Sequence, residues 1–309
     1  MSSINARKSS VFSVNFLFFS LLLSSSIYAE NIEQSSTIKS PIELACIKIS
    51  KKLASVSYSE CFNLDLQLSA LSEQQLPLLL KEFPPLKDKQ PLGRVLLFGG
   101  IHGDEYSSVS VSFKWLNILS KHHSGLFHWQ TSPLVNPDGL LRKKSQRMNN
   151  NGVDLNRNFP SLEAAQVHLD YWQQETHSAS RRYPGEKPLS EKESQWLDAI
   201  IKQFKPDVIV SLHAPYGLVD FDGELTQQAV NTISPPSHLG PLHLHLLGTY
   251  PGSLGRYGSE VLNIPVITVE LEYAGIMPSK KDISQIWVDL VAWLKKYFSE
   301  KQSLTQVVD

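Results

Sequence analysis

The residues most able to do chemistry begin with His102 and Glu105, three positions apart in the stretch R-V-L-L-F-G-G-I-H-G-D-E-Y that runs from Arg94 to Tyr106. A His-x-x-Glu pair supplies two of the three protein ligands that a catalytic zinc takes, leaving one position for water. Alone, that spacing is a weak signal. His213 closes the apolar run V-I-V-S-L-H, and Glu270 stands near the end of P-V-I-T-V-E-L. His102, Glu105 and His213 would complete a His₂Glu set with an open position, in which zinc lowers the pKa of water to about 7 and polarises a carbonyl. A free carboxylate must then take the water's proton and hand it to the leaving amine, a role that suits Glu270. Glu272 lies on the same face of the strand about 7 Å further on and is the reserve. A developing oxyanion needs a further positive group and a substrate carboxylate needs a planar clamp, and arginine supplies both. The loop from Arg147 to Phe159, R-M-N-N-N-G-V-D-L-N-R-N-F, offers Arg147 and the pair Asn156-Arg157 for these roles. Each residue also has a bland reading: a hydrogen-bonded core histidine, a salt-bridged strand end, a solvated polar loop.

The elements needed to bring these residues together can be read from periodicity. Arg94 to Phe98 is a short apolar run of the kind buried on both faces of a sheet, stopped by Gly99 and Gly100. An amphipathic helix follows Glu105, with Val109, Val111, Trp115, Leu116, Ile118 and Leu119 as its apolar positions. Phe127 to Val135 reads as a strand ending in the turn Asn136-Pro137-Asp138-Gly139. Ser161 to Trp172 reads as a helix, and Ser190 with Glu193 forms a capping box for a helix running to about Phe204. Val208 to Leu212 and Pro265 to Leu271 read as strands, with a helix from Ser253 to Leu262 between them and a closing helix from Ile283 to Phe298. Strands alternating with helices predict an α/β sandwich, a mixed but largely parallel central sheet flanked by helices. In such a sheet the carboxyl ends of the strands share one edge, where sites form.

The 309 residues carry a net charge of −1, which argues against nucleic acid or an anionic membrane as a partner. Arg7 and Lys8, the apolar segment Val11 to Leu23 and the small residues to Ala29 read as an export signal cleaved after Ala29. That segment falls short of the roughly 20 residues a membrane span needs. Residues 30–92 read as an N-terminal extension, 93–300 as the catalytic domain and 301–309 as a tail. Cys46 and Cys61 are the only cysteines, and export predicts a disulfide between them that closes a loop of about 15 residues. Ile42 to Val56 is expected to be helical, Phe62 to Leu68 a half-exposed strand, and Phe83 to Pro91 a connector.

Taken in order, H-G-D-E, N-P-D-G, R-x-N-x-x-G-V-D-L-N-R-N-F, S-L-H-A and T-V-E-L resemble the zinc carboxypeptidase family of carboxypeptidase A, over about Arg94 to Trp293. The resemblance implies one zinc ion held by His102, Glu105 and His213, with Glu270 as general base. It also implies Arg147 at the oxyanion and Asn156 with Arg157 on the substrate's terminal carboxylate. Arg142 competes with Arg147, and Tyr250 and Tyr257 compete for the family's substrate-capping tyrosine. Within the family the chain looks like the murein peptide amidases, which hydrolyse the bond between γ-D-glutamate and meso-diaminopimelate in peptidoglycan stem peptides. Such a substrate implies a periplasmic enzyme, with His213 to Gly223 lining the pocket and Asp220 or Asp222 holding the substrate's second amine. The rival readings are a general exported carboxypeptidase, an aspartoacylase-like deacylase, and a catalytically dead peptidoglycan-binding protein. Oligomeric state is left open.

Overall fold

The computed structural model describes residues 39–223 and 234–308. The expected export signal, residues 1–29, lies outside them. Helix α1 (Pro41–Lys52) starts at Ser40, whose side chain accepts from Glu43 N, and α2 (Tyr58–Phe62) starts at Ser57 in the same way. The chain continues through β1 (Gln67–Leu71), β2 (Pro77–Phe83), β3 (Arg94–Gly99), α3 (Tyr106–His122), β4 (His128–Ser132) and the single turn α4 (Pro137–Leu140). Next come α5 (Gln166–Gln174), α6 (Lys192–Phe204), β5 (Val208–His213), β6 (Leu218–Asp222), β7 (His238–Leu239) and β8 (Leu242–Leu244). Last are α7 (Leu254–Arg256), which runs on as a π-helical turn to Val261, then β9 (Val266–Glu270) and α8 (Lys280–Val308).

Among the described residues the strands form one sheet in the order β1-β2-β4-β3-β5-β9-β6-β8-β7. Its centre, β4-β3-β5-β9, is parallel throughout, and antiparallel strands flank it on both sides. The mixed, largely parallel sheet expected from the sequence is therefore the observed one. Alternation along the central strands sorts the core into two layers. Val95 and Leu97 of β3, Val208 and Val210 of β5 and Ile267 and Val269 of β9 face α1, α2, α3 and α8. Leu96 and Phe98, Ile209 and Val266 face the other way, onto α6, Leu254 and Tyr257.

The expected boundary near Gly93 is corrected by the sheet. β2 pairs with β4 through Lys81, Glu82 and Phe83, and Cys46, Ile49 and Cys61 belong to the same hydrophobic cluster as α3 and α8. The described residues from Ser40 onward make one compact unit. Cys46 and Cys61 are disulfide-bonded and tie α1 to α2. The predicted strand at Phe62–Leu68 is displaced: Phe62 ends a helix and the strand starts at Gln67. The capping box expected at Ser190 and Glu193 is also absent. Ser190 Oγ donates to Glu191, and Glu193 accepts from Glu73 N and from Asn149, so neither side chain is left to cap α6. Among the described residues no helix is long and apolar enough to cross a membrane.

Candidate active site

Parallel pairing brings the carboxyl ends of β3, β5 and β9 to one edge. His213 is the last residue of β5 and lies in register with Glu270, the last residue of β9. β3 stops at Gly99, and the turn that follows carries His102 and Gly103 into α4. A Cβ on Gly103 would lie 2.3 Å from the carbonyl carbon of Gly139, so only glycine lets the two backbones meet there. Asn136 fixes the junction: its side chain accepts from Gly139 N and donates to the carbonyls of Ile101 (3.3 Å) and Arg147 (3.0 Å). The turn N-P-D-G thus couples the His102 segment to the arginine loop.

The three expected zinc ligands converge. His102 Nδ1 is 2.7 Å from Glu105 Oε1 and 3.2 Å from His213 Nδ1, and His213 Nδ1 is 3.3 Å from Glu105 Oε2. Glu105 is the N-cap residue of α3, but its carboxylate makes no cap; it turns to the two imidazoles and accepts from Ala214 N. His102 Nε2 donates to Asp154 Oδ1 at 3.1 Å, which orients the ring and presents Nδ1 to the site. Burial opposes the charge on Glu105, yet His102 and His213 outweigh it and hold the carboxyl far below the usual carboxylate range. Burial and Arg147 push the His102 imidazole down, while Glu105 and Asp154 outweigh them and raise it.

Two imidazole nitrogens and a carboxylate lying within 4.8 Å of one another, one histidine backed by a carboxylate, are a donor set that zinc takes. Glu270 stands beside them. Its Oε2 is buried and has no hydrogen-bond partner among the described residues, and burial raises its pKa. A buried, unpaired carboxylate oxygen facing a Lewis-acid site is suited to hold a proton in transit. Glu272, the reserve, is exposed and does not line the cavity.

Arg147 donates from Nε to Asp154 Oδ2 at 2.8 Å, and its Nη1 lies 3.6 Å from Glu105 Oε1 and 3.1 Å from His102 Nδ1. Arg142 is corrected: it is exposed and does not line the cavity. Asn156 accepts from Leu254 N and Arg157 Nη1 donates to the Asn156 carbonyl, so backbone contacts orient both side chains. The Arg157 guanidinium lies 4.5 Å from the centre of the Tyr250 ring. Tyr257 is corrected too. It is buried in the core beneath the sheet, stacks on Phe159 and donates its hydroxyl to Asp198.

The loop itself is ordered by buried carboxylates. Asn149 donates to Glu191 (2.7 Å) and Glu193 (3.1 Å), while its own oxygen accepts from Asn151 N and Val153 N. Glu73, Glu191 and Glu193 also cluster closely enough for a cation, but each is already hydrogen-bonded by protein groups. We read that cluster as the loop's anchor.

One cavity of about 420 Å³ is lined by His102, Glu105, Arg147, Asn156, Arg157, His213, Tyr250 and Glu270. Asp220 and Asp222 of β6 line it as well, with Gly255 packed so tightly that a Cβ there would sit 2.0 Å from Asp222 Oδ2. Burial, followed by Asp220 and Glu260, pushes Asp222 up to about 7. Arg181 and Arg182 line the cavity too and escaped the sequence reading, since nothing in S-R-R-Y marks them. Asp154 was within the motif, and its place between the apolar anchors Val153 and Leu155 was the available signal.

Comparison with known proteins fits this geometry. Murein peptide amidase A of Escherichia coli K12 is 34% identical over 189 residues, covering 57% of this chain and 69% of the relative. Murein peptide amidase A of Vibrio campbellii is 29% identical over 184 residues, covering 58% and 69%. The crystal structure of carboxypeptidase A from Helicoverpa armigera matches in fold with a TM-score of 0.57 at 14% identity, covering 78% of this chain and 70% of that one. The family model for zinc carboxypeptidases, peptidase M14, matches residues 46–292, and the chain belongs to that family.

Proposed function

We propose that this zinc metallopeptidase hydrolyses the amide bond between γ-D-glutamate and meso-diaminopimelate in peptidoglycan stem peptides. The observation that carries the reading is one cavity holding the His102–Glu105–His213 donor set, the unpaired carboxylate oxygen of Glu270, the Arg157 guanidinium and the half-buried carboxylate of Asp222. Likeness to the murein peptide amidases supports the substrate.

Zinc held by His102, Glu105 and His213 supplies Lewis-acid chemistry, acidifying water and polarising the scissile carbonyl. Glu270 takes the proton from the attacking water and passes it to the leaving nitrogen. Arg147, fixed by Asp154, donates to the carbonyl oxygen as negative charge develops there. Arg157 and Asn156 grip the carboxylate beside the scissile bond, and Tyr250, stacked on Arg157, closes over it. Asp222 receives the ammonium of the leaving residue. The activity belongs outside the cytoplasm, a placement supported by the leader pattern and by a disulfide of the kind oxidising compartments maintain.

The test is mass spectrometry of muropeptides before and after incubation with the zinc-loaded protein. Loss of tripeptide with release of diaminopimelate is expected, abolished by a chelator and restored by zinc. Cleavage of hippuryl-type peptides with muropeptides untouched would move the assignment to a general carboxypeptidase.

A further inference from the structure

Four arginines line the cavity, and their pairing is unequal. Arg147 is neutralised by Asp154, and Arg181 pairs with Asp104 at 2.6 Å. Arg157 is buried, donates to a backbone carbonyl and stacks on Tyr250. Arg182 is exposed at the cavity wall, and among the described residues no carboxylate pairs with it.

Burial lowers the pKa of Arg157, and Arg147 and Arg182 add to that against the pull of Asp154. Arg182 also acts on Tyr171, whose ring meets Tyr250 edge-on at 5.9 Å, and Tyr250 in turn covers Arg157. Arg157 and Arg182 thus line one cavity, and their like charges act on each other. One substrate carboxylate neutralises only one of these two guanidiniums. The same cavity carries Asp222, hydrogen-bonded by no described side chain, as the matching receptor for a positive charge.

We infer that Arg182 is a specificity-determining residue that receives a second carboxylate on the leaving residue, so that the enzyme selects amides of a diamino dicarboxylic acid over amides of a monocarboxylic diamino acid. The inference rests on the functional reading above and sharpens it. A carboxylate that meets the unpaired Arg182 makes charge-assisted hydrogen bonds and offsets its repulsion of Arg157, and an analogue without it leaves that repulsion in place.

Two ligands separate the cases: meso-diaminopimelate, and lysine, which lacks only the distal carboxylate. Binding of each to the zinc-loaded protein is measured by calorimetry in wild type, Arg182→Ala and Arg182→Lys. The expected result is tighter binding of diaminopimelate by the wild type, a loss of roughly tenfold for that ligand in Arg182→Ala, little change for lysine, and partial recovery in Arg182→Lys. With γ-D-glutamyl peptides ending in either residue, the loss is expected in KM and not in kcat. Equal weakening of both ligands, or of neither, overturns the inference. If neither peptide is hydrolysed while the binding difference persists, the functional reading fails and the role of Arg182 stands. Arg182 is exposed, so its replacement leaves the core untouched.

Discussion

At the scale of single residues, the proposed mechanism separates groups that would hold a metal from groups that would move charge. Glu270→Gln keeps the shape of the strand end and removes the basic oxygen. It should retain one zinc per chain by elemental analysis while losing several orders of magnitude in turnover. Near-normal turnover with the metal bound would refute its role as base. Asp154 acts one step back, holding both the His102 ring and the Arg147 guanidinium. Asp154→Asn should weaken zinc binding by about 10- to 100-fold in a competition assay against a chromophoric chelator. Asp222 gives a pH signature. Raised to about 7, it is neutral below that pH and charged above it, so a leaving residue with an ammonium should bind better as pH climbs through 7. KM for such a substrate should fall over that interval, KM for a norleucine analogue should not, and Asp222→Asn should abolish the difference. The convergence of His102, Glu105, His213 and Glu270 was legible because polar residues at the ends of apolar strands have little structural reason to be there. Arg182 was not, because an arginine in a polar segment looks like any solvated residue until a cavity wall is drawn through it.

At the scale of elements, the site depends on turns more than on strands. The β3-to-α3 turn must pass flush against α4, and Gly103→Ala would put a methyl into the Gly139–Leu140 backbone, atoms that cannot rotate away. That substitution should cost on the order of 1–3 kcal/mol in denaturant unfolding. It should also lower zinc affinity, because the displaced segment carries His102. Unchanged stability and affinity would mean the turn is more pliable than its packing implies. The buried central strands were readable as Val, Ile and Leu runs, whereas β2 and β6 were not. β2 begins with a proline and ends in Lys81-Glu82-Phe83, with charges that suit its place beyond the parallel centre, next to β1. β6 reads L-V-D-F-D, and its aspartates look like turn formers; the alternation is real, but both Asp220 and Asp222 line the cavity of the candidate site. Polar residues that line a cavity disguise the strand that carries them.

At the scale of the whole molecule, the N-terminal segment is part of the enzyme's frame. Lys114 of α3 reaches Glu60 of α2 at 2.7 Å and the Ser55 carbonyl at 2.6 Å, and Lys52 of α1 donates to the Arg142 carbonyl. Composition pointed to a boundary at Gly93 because a proline- and lysine-rich connector precedes it; sequence pattern cannot show that β2 crosses back to pair with β4. Calorimetry distinguishes the alternatives. A separate N-terminal domain would unfold in its own transition, whereas one shared sheet and core should give a single cooperative one. The disulfide then acts on the entire unit. Replacing Cys46 and Cys61 together by alanine should cost about 3 kcal/mol through the freed loop. For a unit of this size that is a fall in Tm of roughly 6–12 °C. The single peak should move as a whole, and the site should go with it, because α1, α2 and α3 share one cluster and α3 begins at Glu105. A small early transition that leaves the main peak and zinc binding in place would instead make residues 40–92 an appendage.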